Sequence, residues 1–362
     1  IKRQNLIKQS PLYFIDKIYW LLEDCKKFGT LPFAGLARCA FISTDILDSF
    51  VTEKIFTNND RLKFLASVKT ITSELNEDLK KNKKFFLNKY GHLRPGTYEI
   101  TSPNYKNNFK NYFGNFSKSK IQKNKNSEFK FSSEQKKKIN IFIKKSNIYK
   151  DFNELIYFIK NSIRYREYSK FVFSKNIDLI FENLENFGKK FNIRKEDLSY
   201  LNINKFLDLY FNLSNFKSIE SLKNNIQENK IEYFKNQNIN LPDVITSEKD
   251  LFVQNRKRPK INFISNKIII AKILEYKKIN IKSKMDGIIC IENADPGYDF
   301  LFSKNIKGLI TKYGGQNSHM AIRCAELNLP ALIGVGEETY NKIKQNKSIK
   351  IDCVLKKIEL IN

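Results

Sequence analysis

The segment from Tyr313 to Gly334 places the strictest limits on how this chain can fold. Residues 307–311 are typical of a short buried strand, and Gly314 and Gly315 then allow a tight turn with close approach of a ligand to the backbone. A helix over 320–327 should follow. Three residues of types that begin or end helices mark its limits: Ser318 at the N-cap, and Asn328 and Pro330 at the C-terminal end.

His319 lies in the first turn of this predicted helix and is one of only two histidines in 362 residues. Unpaired N–H groups and the positive end of the helix dipole favour an anion there. The same field disfavours a protonated imidazole, so we expect a neutral, nucleophilic ring. A phosphoryl group on it would meet donors at Gly314, Gly315 and Ser318. The local chemistry fits a structural histidine beside a glycine turn equally well.

The pattern Gly-Gly-x-x-Ser-His-x-Ala-Ile, followed by Leu-x-x-Pro-Ala-x-x-Gly, resembles the phosphohistidine swivelling domain of the phosphoenolpyruvate-utilising enzymes. The resemblance runs from about Ile261 to Asn362. It implies that His319 is phosphorylated on a ring nitrogen and that the domain moves between two active sites. The chain departs from the family at Ala325, where many members carry arginine, while Arg323 lies two residues earlier.

Composition narrows the classes of partner. The formal net charge is +27, but lysine is spread along the chain with asparagine and isoleucine. That bias is typical of an AT-rich genome, so we expect no specific nucleic-acid partner. Five scattered cysteines without a Cys-x-x-Cys pair indicate reduced thiols in a cytoplasm and no metal site. The sequence is expected to contain no apolar run long enough to span a bilayer, so no membrane partner is expected.

The expected fold class is α+β, with a mostly helical region before a compact β/β/α swivelling domain. Helical periodicity dominates the first two thirds of the chain, and strand patterns begin at about residue 261. Four regions are predicted: 1–105, a helical acceptor-binding region; 106–138, a flexible segment rich in asparagine and lysine; 139–250, a helical region and linker; and 251–362, the swivelling domain.

Arg38 stands in an otherwise apolar helical run, residues 28–41. Its guanidinium group must find an anion or remain at the helix edge, and arginine grips carboxylate or phosphate in a bidentate way. Arg38 is therefore a candidate substrate-binding residue. Pairing with Asp45 or Asp48 is an equally good explanation.

A second polar segment, residues 89–100, crowds His92, Arg94 and Tyr98 around a Gly/Pro turn. A polar ligand site on a loop would have this composition, so these three side chains are candidate substrate ligands. The alternative is an ordered turn held by stacked rings. Further along, Arg166 and Glu167 are expected to form ion pairs on a helix surface.

These polar segments, together with residues 262–265 and 292–299, resemble the L-glutamine kinases, relatives of phosphoenolpyruvate synthase in capsular phosphoramidate synthesis. The resemblance implies that ATP and Mg²⁺ bind mainly to an N-terminal ATP-grasp domain absent from this chain, which alone should be inactive. Phospho-His319 would then serve the side-chain amide of L-glutamine. His92 would deprotonate or orient the amide, and Arg38 or Arg94 would hold the carboxylate.

Two other functions stay open. One is a swivelling-histidine phosphotransferase for another small acceptor, such as a drug hydroxyl. The other, from a different class, is a basic nucleic-acid-binding protein in which His319 is structural.

Overall fold

The computed structural model describes residues 1–71, 74–114, 128–146, 150–211, 216–236, 239, 245–251, 261–276, 285–304, 306–316 and 318–361. The chain divides into two compact units. The first comprises residues 1–26, 98–103 and 175–259, and the second comprises residues 27–97, 104–174 and 260–362.

The described part of the first unit is helical. Its core forms because apolar residues recur every three or four positions, as at Ile15, Ile18 and Leu21. These side chains pack with Phe187 and Phe206. The helices are α1 (Lys2–Gln9), α2 (Phe14–Asp24), the end of α9 (Phe152–Phe191), α10 (Lys195–Leu198), α11 (Ile203–Phe211) and α12 (Phe216–Asn236).

Helix α2 continues through a π-helical segment, Cys25–Thr30, into α3 (Leu31–Thr52). By length and composition this 39-residue helical stretch, Phe14–Thr52, could cross a membrane. The expectation that no segment is apolar and long enough was therefore wrong. Core helices of soluble proteins meet the same criteria, and 28% of the most apolar window of this stretch is buried.

The second unit contains a helical part and an α/β part. The helical part has a core in which Phe50 and Phe64 pack with Ile139 and Ile159. Besides α3 and the beginning of α9, its helices are α4 (Asn58–Ser67), α5 (Leu75–Lys81), α6 (Lys83–Tyr90), α7 (Phe109–Phe113) and α8 (Ser133–Ser146).

The segment expected to be flexible, 106–138, is folded where the structure describes it. Helix α7 lies within it, and Tyr112 and Phe113 are buried. Phe129 and Phe131 pack against the core of the helical part. Its central residues, 115–127, lie outside the described residues, as do residues 240–244 and 252–260 on either side of the predicted boundary between linker and swivelling domain.

The α/β part is a seven-stranded sheet in the order β1-β5-β4-β3-β2-β6-β7. Its four central strands run parallel, and β1, β6 and β7 pair antiparallel with their neighbours. The strands are β1 (Asn262–Ile264), β2 (Ile268–Glu275), β3 (Ile288–Asn293), β4 (Gly308–Tyr313), β5 (Ala331–Ile333), β6 (Ser348–Asp352) and β7 (Lys357–Ile361).

Two connections follow neighbouring parallel strands at the same sheet edge. A 3-10 helix, Pro296–Lys304, follows β3, and α13 (His319–Glu326) follows β4. The predicted order of strand, glycine turn, helix and strand is confirmed, and Asn328 has the expected left-handed conformation, with φ of 49°. β1, β7 and the short α14 (Glu337–Lys344) were not predicted. The mixed α and β content agrees with the α+β expectation.

One hydrophobic core joins the α/β part to residues 75–93 and 105–113. Met320 and Phe300 belong to the same buried cluster as Phe86 and Tyr105. The ring of Phe300 lies 4.8 Å from that of Tyr112, centroid to centroid. The α/β part is thus packed against the helical part with the density of a protein interior.

Candidate functional site

The glycine turn and α13 place His319 at the end of strand β4. Gly314 has φ of 132°, a conformation that favours glycine, and a Cβ there would lie 2.8 Å from the Cβ of Ala294. Gly315 faces open space. Ser318 occupies the N-cap position, as predicted, but its hydroxyl makes no capping hydrogen bond. This Oγ is buried and has no hydrogen-bond partner among the described residues.

The imidazole of His319 is buried between two carboxylates, its side chain being only 6% exposed. Nε2 lies 2.7 Å from Oδ1 of Asp299, which comes from the 3-10 helix after β3. Nδ1 lies 3.3 Å from Oε2 of Glu167, which comes from α9 and is 152 residues away in sequence. Both carboxylates are buried as well. Since a carboxylate only accepts, both ring nitrogens act as donors here.

This environment keeps the His319 ring protonated. Burial alone would lower the pKa of His319, but the charges and hydrogen bonds of Asp299 and Glu167 outweigh it and raise the pKa to about 9. Burial would likewise raise the pKa of Glu167, yet the hydrogen bond to His319 and the charges of Arg166 and Lys170 hold it below its ordinary value. The expected neutral ring is therefore wrong for this arrangement, because two carboxylates favour the protonated form more strongly than burial opposes it.

Arg323 extends the buried charge cluster. It lies one helical turn after His319 and is fully buried, with Nε 3.8 Å from Oδ1 of Asp299. Its Nη1 donates to Glu326, and burial raises the pKa of that carboxyl. Nε of Arg323 has no hydrogen-bond partner among the described residues. The cation missing at Ala325 thus has a counterpart at Arg323, next to the carboxylate that touches His319.

The second polar segment of the sequence packs directly against the residues that carry Asp299. A Cβ on Gly297 would overlap the carbonyl group of Arg94, so the two backbones are in contact. Thr97 Oγ1 donates to Asp295 Oδ2 at 2.8 Å, and the Tyr105 hydroxyl donates to the Gly297 carbonyl at 2.8 Å. Segments 89–100 and 292–299, which were singled out together in the sequence, therefore meet in the structure.

His92 and Arg94 lie in this turn, but their surroundings differ from those of an open ligand site. Nε2 of His92 lies 3.1 Å from the carbonyl of Phe171, so it carries a proton and donates. The ring also packs edge-on against Phe171, four residues after Glu167. Arg94 is 5% exposed. The turn supports α9 and the Asp295–Asp299 segment.

The other two predicted substrate ligands are exposed. Arg38 is an exposed residue of α3, and Asp48, one of the two acids considered as its partner, forms an ion pair with Arg61. Tyr98 is 66% exposed and belongs to the first compact unit, whereas His319 belongs to the second.

Glu167 was interpreted wrongly from the sequence, where an exposed ion pair on a helix was expected. It is 7% exposed and contacts His319. Asp299 carried only a weak signal, as the last residue of the segment 292–299. No sequence spacing links Glu167 to His319, because the contact joins distant segments. Among the described residues, no three His, Cys, Asp or Glu side chains are arranged to hold a metal ion.

Comparison with protein families finds a match in the region that contains His319. Residues 284–355 match the mobile domain of PEP-utilising enzymes. The matched segment contains β3, the Asp299 helix, β4 and α13, so it holds both His319 and its nearest carboxylate. The expected resemblance to the PEP-utilising family is supported at this level, whereas no comparison addresses glutamine.

Three phosphotransferases are similar to parts of the chain. Rifampicin phosphotransferase of Bacillus subtilis (strain 168) is 26% identical over 292 residues, 74% of this chain and 33% of that protein. The Bacillus cereus protein of that name is 25% identical over 298 residues, covering 74% and 32%. Phosphoenolpyruvate-protein phosphotransferase of Mycoplasma pneumoniae is 33% identical over 73 residues, covering 20% and 13%. The chain spans about a third of the length of the two rifampicin phosphotransferases.

Proposed function

We propose that this chain is part of a phosphotransferase in which His319 carries a phosphoryl group from an ATP site to a small acceptor. The observation that carries the proposal is the placement of His319 at the start of α13, after a glycine turn, inside the matched mobile domain. A covalent carrier divides one difficult transfer into two easier ones. Gly314, Gly315 and Ser318 supply the backbone and hydroxyl groups around the phosphoryl position.

In this proposal the donor site lies on a part of the protein outside this chain. ATP and Mg²⁺ would bind mainly to an N-terminal ATP-grasp domain, as the family resemblance implies. The protonated state of His319 supports the proposal that the ring takes up its phosphoryl group at a different position from the one described. Between Asp299 and Glu167 both ring nitrogens donate hydrogen bonds, so neither has the lone pair that attack on phosphorus requires. The ring has to leave this position and lose a proton before it takes up a phosphoryl group.

The acceptor we propose is the side-chain amide of L-glutamine. Support comes from the packing of Arg94 and Thr97 against Gly297 and Asp295, since their two segments carry the resemblance to glutamine kinases. The second segment also carries Asp299, which contacts His319. His92 and Arg94 then act from the turn that supports the acceptor side. Arg38, exposed on α3, would hold the amino-acid carboxylate.

A second candidate is transfer to a hydroxyl of a drug-like acceptor. It is favoured by the similarity of 74% of the chain to two rifampicin phosphotransferases. An acceptor of that class is apolar. Exposed apolar side chains on α3, among them Leu31 and Phe41, would suit it better than they suit glutamine.

The test of the carrier role uses the whole protein with ATP and Mg²⁺. We expect phosphate on His319 that is labile in acid and stable in base, and its loss in His319→Ala. His92→Asn is the matched control, because it removes the other histidine of this chain. Turnover with ATP that persists in His319→Ala would contradict the proposal. Phosphorus NMR of reactions with L-glutamine and with rifampicin then distinguishes a phosphoramidate from a phosphate ester.

A further inference from the structure

Glu167 and Asp299 contact the same ring but belong to different parts of the fold. Asp299 lies in the α/β part, on the 3-10 helix beside α13, and therefore moves with His319. Glu167 lies on α9, in the helical part. If the α/β part moves to carry a phosphoryl group, it keeps Asp299 and loses Glu167. Glu167 thus marks one end of the movement.

We infer that Glu167 is a positioning residue for discharge of phospho-His319, an inference that rests on the proposed carrier function. Nδ1 donates its proton to the Glu167 carboxylate, which fixes both the orientation of the ring and its tautomer. The phosphoryl group is then held on Nε2, the nitrogen on the side of Asp299 and Arg323. Charging of His319 at the donor site does not involve Glu167.

Groups around Nε2 can accommodate a phosphoryl group on that nitrogen. Asp299 has to move away from Nε2 when a phosphoryl group occupies it. Nε of Arg323 lies 3.8 Å from the same Asp299 oxygen and lacks a hydrogen-bond partner among the described residues, as does Oδ2 of Asp299. The guanidinium group can therefore take up Asp299 or a phosphoryl oxygen. The buried hydroxyl of Ser318 is a further unused donor at the helix start.

The discharge step balances without an additional reactant. The bond between phosphorus and Nε2 breaks, its electron pair returns to Nε2, and an N–H or O–H group of the acceptor forms the new bond to phosphorus. The acceptor loses one proton and Nε2 gains one. The product is an imidazolium, which the carboxylates of Asp299 and Glu167, 2.7 and 3.3 Å from the two ring nitrogens, would stabilise. The described arrangement therefore corresponds to the discharged state.

The experiment separates charging from discharge in the whole protein. Labelling of His319 by ATP is followed first, and loss of the label is then followed in single turnovers with L-glutamine, with rifampicin and with water alone. We expect Glu167→Gln to label within about twofold of the unmodified protein, and to discharge at least about 100-fold more slowly. Glu167→Asp should recover part of the rate. Glu182→Gln is the matched control, since Glu182 is an exposed residue of the same helix.

Three results would overturn the inference. If Glu167→Gln discharges phospho-His319 at the normal rate, Glu167 has no role in discharge. If charging and discharge slow equally, the substitution has caused a general structural defect. Phosphate found on Nδ1 contradicts the assignment of the tautomer. Failure of the proposed function looks different, because the unmodified protein would then carry no label on His319. Independently of labelling, NMR of the ring should show a lower pKa for His319 in Glu167→Gln than in Glu182→Gln.

Discussion

Replacing Asp299 with asparagine should remove the unusual basicity of His319. Its pKa is raised from 6.5 to about 9, although burial opposes the charged form. The difference corresponds to about 3 kcal/mol of preference for the imidazolium in this site. Asp299 is the strongest of the groups that raise this pKa, ahead of Glu167. We therefore expect Asp299→Asn to lower the pKa by at least about one unit, or about 1.4 kcal/mol.

Proton NMR of the imidazole ring measures this directly. The ring signal that is lost in His319→Asn and kept in His92→Asn is that of His319. Asp286→Asn is the matched control, because Asp286 lies in the same α/β part and is well exposed, in an ion pair with Lys307. The control should leave the titration of His319 unchanged. Titration of His319 at or below 6.5 in the unmodified protein would refute the reasoning.

The same shift predicts how stability depends on pH. A histidine whose pKa is higher in the folded than in the unfolded state contributes to stability when it is protonated. This contribution is fully present at pH values below the pKa in the unfolded state, about 6.5. The contribution is lost as pH rises through about 9. Denaturant unfolding between these limits should show a loss of up to about 3 kcal/mol that is absent in His319→Asn. Equal pH dependence in both proteins would show that the ion pairs do not form.

Other substitutions test the packing around this cluster by the free energy of unfolding. Gly297→Ala should destabilise the protein by about 1–3 kcal/mol, because the added Cβ overlaps the neighbouring turn. Gly35→Ala, in open space within α3, should stabilise it by about 0.5–1 kcal/mol. Similar effects of the two substitutions would disprove the close contact at Gly297. Arg323→Met should cost about 3–5 kcal/mol, since it leaves buried carboxylates without their cation, and a neutral result would mean that these are protonated. Thr97→Val should cost about 1–3 kcal/mol through the lost bond to Asp295, while Thr97→Ser should be closer to neutral.

The local structure around His319 could be predicted because its signals are local. A glycine turn, a short apolar strand and a Pro-terminated helix act within 25 residues, and all appeared near the predicted positions. The long helix α9 lies within the region 139–250, which was predicted as helical, but its length of 40 residues was not predicted. Its polar positions near residue 175 look like a break in the sequence, but they continue the same helix.

The partners of the ring could not be predicted in the same way. Glu167 and Asp299 reach His319 from two separate segments, and only the folded chain brings them together. The helix dipole gave the expectation of a neutral ring, since it was the one field visible in the sequence. Two buried carboxylates reverse that sign. Arg38 was a candidate ligand because its charge stood out in an apolar run, and Tyr98 because it lay in a polar turn, yet both are exposed.

The backbone contact at Gly297 has a consequence for how this protein can diverge. Since the Gly297 backbone meets the carbonyl of Arg94, the fit depends on the path of the main chain more than on particular side chains. Side chains of the turn 91–97 can therefore change over evolution while the contact persists. A larger residue at 297, in contrast, demands a rebuilt turn. Among homologues, the identity of position 297 and the length of that turn should change together.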